Sequence, residues 1–201
     1  VSINLSIDTG YPSDYLSTKS GVGGLSVALM DEGTTSRSAL QIAEELDRLG
    51  AWLFVGGGGE GSGVQMTALK PTLDQVLAIW ADVLRNPAFT DADFKRLQDQ
   101  QVQALRQQLR DPNAIAARVT NRTLWGANHP YGRLTMPEDV QKLTKEDVAA
   151  FHRRWLGPNN ATLIVVGDTT MAEITPKLEA ALRGWANAPG EPEVVPAGTR
   201  P

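Results

Sequence analysis

The sequence predicts an α+β fold: an antiparallel or mixed sheet of about five strands with helices packed on one side. Three observations carry this reading. Val1, Ile3, Leu5 and Ile7 alternate with Ser2, Asn4 and Ser6, the two-residue period of a half-buried strand. Val64, Met66 and Ala68 repeat that alternation just after a strand-like Ala51–Val55, so the pair reads as a hairpin. Long stretches with apolar residues at helical spacing then follow in runs and do not alternate one for one with strands, which argues against a doubly wound parallel sheet.

Each element has a local reason. Thr9–Ser20 is polar, with Gly10, Pro12 and Asp14, and reads as a loop. GVGGLSVALMDEGT, residues 21–34, reads as an apolar helix that stops at Gly33. Ser38 can cap a second helix with Ile42, Leu46 and Leu49 on one face and Gly50 as its stop. GGGGEGSG, residues 56–63, reads as a flexible hairpin tip. Pro71–Leu84 is helical, with Leu73, Val76, Leu77, Trp80 and Leu84 in phase. Thr90 caps a long helix to about Arg110, with Asp91 and Asp93 in the first turn, where the helix dipole favours them. Asp111-Pro112 interrupts, and Ala114–Trp125 resumes as a helix. Thr144–Trp155 and Thr170–Trp185 are further helices, separated by the short apolar strand Ala161–Val166. Residues 1–187 form one domain, and residues 188–201, rich in Pro and Gly, read as a linker towards a further domain.

Bulk properties exclude several classes. The 201 residues suffice for a substantial core, and 41% apolar with 21% charged residues is ordinary for a globular protein. A net charge of −4 argues against nucleic acid as the main partner. No apolar run approaches the length of a membrane span, and no signal peptide is visible. Because the chain starts at Val1 already in a strand pattern, it reads as a piece of a longer protein, so a missing leader carries little weight. The absence of cysteine excludes disulfides, Cys zinc sites and thiol nucleophiles.

A search for chemistry finds none. Gly56, Gly58 and Gly61 satisfy GxGxxG formally, but a dinucleotide site needs a helix next, and here a strand follows. His129 and His152 are the only histidines; far apart in sequence, they could still meet in space with a carboxylate added, but neither has a partner at i+4, and both read as structural hydrogen-bonding groups. Glu60 occupies the place where a nucleophile elbow around Ser62 would need glycine. The acidic pairs Asp31-Glu32 and Glu44-Glu45 and the basic Arg153-Arg154 read as solvated faces or cap contacts. Five dispersed tryptophans suit core packing better than a stacking platform.

Three stretches, in order and at matching spacing, nevertheless resemble the pitrilysin/insulinase-type zinc peptidases, the group that includes the mitochondrial processing peptidases. They are GLSVALMDEGTTSRSALQIAEELDRLGAWL at 24–53, WADVLRNPAFTDADFKRLQDQQVQALRQQLRDP at 80–112, and HPYGR at 129–133 together with FHRRWLGPNNATLIVVGD at 151–168. The resemblance covers about residues 1–187 and implies a metalloprotease-like fold. Active members carry His-x-x-Glu-His on the first helix, two zinc ligands and a general base. Aligned on Gly33-Thr34, those places hold Gly24, Val27 and Ala28. A further zinc-binding Glu, expected about 75 residues on, falls near Gln103 and Ala104, and no Glu occurs from Thr90 to Pro112. The resemblance therefore implies a non-catalytic domain, with no catalytic, cofactor or metal residue of its own. It would contribute to a peptide-enclosing chamber and to domain contacts. Its implied partners are a homologous active peptidase domain, in the same chain or as a separate subunit and holding the zinc, and a peptide substrate. The implied location is the periplasm or cell envelope, with the cytoplasm as alternative. Two other readings stay open: a scaffold subunit of a membrane-associated complex, and a cryptic hydrolase built on His129 and His152.

Overall fold

β1 (Ser2–Ile7) lies inside a four-stranded antiparallel sheet, between β3 (Gly61–Thr67) and β4 (Ala161–Val166), and β2 (Trp52–Gly58) completes the order β2-β3-β1-β4. The computed structural model describes residues 1–9, 17, 19–58 and 61–189. Among these the sheet has four strands, one from each alternating or apolar run. Alternation decides which face is covered. Leu53, Met66, Ile3 and Val165 form one inward row, and Val55, Val64, Leu5 and Leu163 the next. The opposite face stays open, with exposed Trp52 and Phe54 on one edge strand and Ile164 and Val166 on the other. The helices therefore cover one side only.

Among the described residues eight α-helices make up that cover: α1 (Val22–Ala28), α2 (Ala39–Leu49), α3 (Leu73–Arg85), α4 (Asp91–Gln108), α5 (Pro112–Trp125), α6 (Pro137–Gln141), α7 (Lys145–Trp155) and α8 (Met171–Ala181). α3 is central. Its Val76, Trp80, Val83 and Leu84 are fully buried, and the Trp80 indole donates to the Val64 carbonyl at 3.2 Å, tying helix to sheet. A helix apolar on nearly every side belongs inside the layer stack. α1 packs between α7 and β2, and Ser26 donates to the Val148 carbonyl at 3.2 Å. Gln98 of α4 donates to the carbonyls of Val140 and Leu143, at 2.9 and 3.0 Å, and anchors α6.

Sequence expectation and structure part at several places. The first helix was expected to run to Gly33, yet α1 ends at Ala28, where Met30 closes a tight turn onto the Val27 carbonyl at 3.1 Å. Tertiary contacts win there. Asp82 of α3 accepts from Thr34 at 2.7 Å, Ser36 at 2.6 Å and Arg37 at 2.7 Å, pinning residues 34–37 in a tight turn that the Thr34 N–H closes onto the Arg37 carbonyl at 2.7 Å. The glycine run was expected to be a flexible tip, but Gly56–Gly58 pair with Gly61–Gly63 as regular ladder. Only residues 59 and 60 of that run lie outside the described residues. The last helix stops at Ala181, not Trp185, and α6 was not anticipated. Past the expected boundary at 187, Ala188 still exchanges two hydrogen bonds with Asn159, at 2.7 and 3.0 Å; the expected linker from residue 190 lies outside the described residues.

Candidate functional site

The opening glycines shape the site. Gly21 precedes α1 with φ 86°, and a Cβ there would meet Val140 at 3.1 Å and Thr135 at 3.2 Å, so the turn that delivers the chain into α1 needs glycine. Gly24 sits one turn further on with ordinary helical backbone and is exposed. A Cβ on it would lie 3.8 Å from Gln101 Nε2 of α4, an ordinary contact. Beyond these glycines opens a cavity of about 540 Å³ between α1, α4, α5 and the third inward row of the sheet. Gly57 and Ser62 occupy that row, opposite Ile7, and their small size leaves space where the other rows are filled. Thr9 lines the same corner and donates to Ser62 Oγ at 2.7 Å.

The far wall carries charge and aromatic surface. Arg118 and Asn121 come from α5, and Arg133 from the segment after it. Arg118 Nη2 donates to the Thr135 carbonyl at 2.9 Å, which fixes the guanidinium at the wall. Trp125 and Tyr131 also line the cavity, and His129 stacks on Trp125 with ring centroids 4.7 Å apart. No Asp or Glu is among the described residues lining it. Gln101 Oε1 is fully buried and has no hydrogen-bond partner. Trp155 Nε1 and Asn160 Oδ1 are likewise buried without a partner among the described residues, so this alone does not mark a binding site.

The residues singled out by resemblance lie around this cavity unevenly. Gly24 and Ala28 are exposed on one side of α1, four residues apart, whereas Val27 is buried at 2% exposure and fills core. Gln103 and Ala104 are exposed on α4; the α4 side chain facing Gly24 is Gln101, which sequence counting passed over. Its signal was present in the spacing, since it follows buried Gln98 by three residues on the inward stripe. None of Gly24, Val27 or Ala28 has a donor atom for a metal, and Gln101 brings an amide where a carboxylate would serve, so these residues do not fit a zinc ion. Among the described residues no group of three or more His, Cys, Asp or Glu side chains is placed to hold a metal.

The histidines have separate surroundings. His129 Nδ1 accepts from the Tyr131 N–H at 3.2 Å beside Trp125. His152 is buried on α7 against α3 and Phe89, with Nε2 at 2.9 Å from the Leu84 carbonyl. A carbonyl only accepts, so Nε2 carries the proton. Burial holds the His152 pKa below its ordinary 6.5, against the opposing pull of the Leu84 bond. Of the acidic pairs, Glu32 meets Arg96 at 2.6 Å, and burial raises the Asp31 carboxyl above its usual value.

Comparison with known proteins now gives this geometry its class. Residues 1–137 match Insulinase (Peptidase family M16), and residues 142–201 match the Peptidase M16 inactive domain. The chain belongs to peptidase family M16. It is 24% identical over 181 residues to an uncharacterized zinc protease of Rickettsia felis, spanning 89% of this chain and 43% of that protein. It is 23% identical over 164 residues to the non-peptidase homolog YmxG of Helicobacter pylori, spanning 81% of this chain and 38% of that one. In fold it is similar to the peptidase M16 inactive domain from Pseudomonas fluorescens, with a TM-score of 0.89 at 20% identity over 96% of this chain and 47% of that chain. The first half of the periplasmic protease PqqL from Escherichia coli superposes with a TM-score of 0.76 at 21% identity, over 97% of this chain and 43% of that chain. The chain thus spans less than half the length of each of these proteins. Among the described residues no helix is long and apolar enough to cross a membrane.

Proposed function

We propose that this chain is a non-catalytic domain of a zinc-dependent peptidase, forming wall and domain contacts of a chamber that encloses peptide. The observation that carries the reading is the donor-free first helix: Gly24, Val27 and Ala28 stand where the resemblance puts two ligands and a base. The matched inactive domain and the non-peptidase homolog support it. Burial of Val27 gives a physical rationale, because an unpaired Glu in its place would be costly. Chemistry then falls to a homologous partner domain that holds zinc, in the same chain or in a separate subunit. The likeness to half of a periplasmic protease supports a periplasmic or envelope location.

Co-expression with the M16 chain of the same genome that bears His-x-x-Glu-His tests this. The expected result is a stable one-to-one complex that cleaves a denatured peptide, while the 201-residue chain alone does not. Chelator-sensitive cleavage by the isolated chain would overturn the reading.

A further inference from the structure

We propose that the outward face of α5, with the arginines around it, docks on the anionic headgroups of a lipid surface. The proposal stands apart from the non-catalytic reading above. Its first observation is the distribution of charge. Residues 106–133 carry five arginines and one acid, a net +4, in a chain of net −4, so the rest of the chain carries −8. The one acid, Asp111, is engaged in capping α5, where it accepts from the Asn113 N–H at 2.8 Å. Elsewhere many cations are paired, as in Lys95–Asp99 at 2.7 Å and Arg96–Glu32 at 2.6 Å. Among the described residues no ion pair falls within 106–133, and the exposed side chains of Arg106, Arg110 and Arg122 have no acceptor.

The second observation is the way α5 is turned. A surface helix directs its apolar stripe inward and its charges outward. Here the reverse holds. Ala114 and Arg118, one turn apart, are its only residues not fully exposed, so they mark the inward side, and Arg118 is fixed there on the Thr135 carbonyl at 2.9 Å. At about 3.6 residues per turn the outward arc takes Ile115, Ala116, Val119, Thr120, Thr123 and Leu124, none of them charged. Val119 is 56% exposed and Leu124 61%. Arg122 borders that arc, and Arg106, Leu109 and Arg110 stand at the corner where α4 leads into it. An uncharged aliphatic face bordered by cations suits a helix lying in a bilayer interface, with aliphatic groups among the acyl chains and guanidinium groups at the phosphates. α5 is too short to cross a bilayer, so it would lie on the surface. Charge complementarity selects anionic lipid and also sets the orientation, because the −8 remainder is repelled where the +4 lobe is attracted. The aliphatic groups spread over about half the circumference and form no compact knob, which favours a fluid phase over a folded acidic partner.

Co-sedimentation of the whole 201-residue chain with lipid vesicles tests this. One set of vesicles is pure phosphatidylcholine, and the other is phosphatidylcholine and phosphatidylglycerol in equal parts. Binding to the anionic set at least about tenfold tighter is expected, and it should weaken as salt screens the arginines. Arg122→Gln should weaken binding about fivefold, the contribution of one arginine near an anionic surface. Val119→Glu should abolish binding and leave the thermal midpoint unchanged, because the site is exposed. Val119→Leu keeps the apolar contact and should retain binding. Soluble polyglutamate, at the same concentration of negative charge as the lipid, offers charge without an apolar phase and should compete poorly. Equal binding to the two vesicle sets, or undiminished binding by folded Val119→Glu, would overturn the proposal. Full release by polyglutamate would also overturn it and assign the face to an acidic polypeptide. None of these results touches the non-catalytic reading, which fails on metal-dependent cleavage instead.

Discussion

His152 shows how a residue that looks chemical is held for structure. It is buried, donates to the Leu84 carbonyl and touches Phe89 edge-on, so it joins α7 to the end of α3. Its folded pKa lies below the ordinary 6.5, and burial is the leading cause. The unfolded chain therefore binds this proton at a pH where the folded chain does not. Above about pH 6.5 the residue is neutral in both states and its effect on stability is constant. As pH falls through that value, unfolding gains a proton and stability drops, until the folded-state pKa is also passed. Urea midpoints measured from pH 8 to pH 5 should fall below about pH 6.5. His152→Gln, which keeps a donor near Leu84, should flatten that slope. A wild-type profile level across the range would contradict the assignment. Asp82 has the opposite sign. Bonds from Ser36, Asn86, Thr34 and Arg37 outweigh its burial and hold it below the usual carboxylate value, so its contribution is present above that value and is lost only in stronger acid.

Elements were legible where their signals are local. Ser38, Gln41 and Gly50 form a capping box and a left-handed stop around α2, and the predicted buried face of Ile42, Leu46 and Leu49 is the one observed. Thr90, Thr144 and Thr170 likewise cap α4, α7 and α8. Signals failed where tertiary contacts decide. The extent of α1 depends on Asp82, some fifty positions away, holding the segment after it, and no periodicity encodes that. Glycines in a ladder look like a loop because composition says nothing of the partner strand. The cavity was not legible either, since it is made by small residues on three separate elements, Gly24 on α1, Gly57 on β2 and Ser62 on β3. α5 is a different case: the sequence placed it, but it has no buried residue and leaves Ile115, Val119 and Leu124 exposed. With so little burial it should open locally at low cost. Amide exchange in residues 112–125 should be at least about tenfold faster than in α3, a difference of about 1.4 kcal/mol in opening free energy. Equal protection of the two helices would show that α5 is held by more than its observed contacts.

At the scale of the whole molecule, one covered sheet face and a cavity with no acidic side chain among its described lining residues belong to an M16 domain. The chain spans less than half the length of these relatives. The resemblance places the motif positions Gly24, Val27 and Ala28 on α1, by the spacing before Gly33-Thr34. The claim that rests on it is the lack of a zinc site in this domain. Metal content of the purified chain after zinc incubation and desalting tests it most directly. The account predicts less than about a tenth of an equivalent, as expected without three or four ligands in one shell. Close to one tightly held zinc per chain would contradict it.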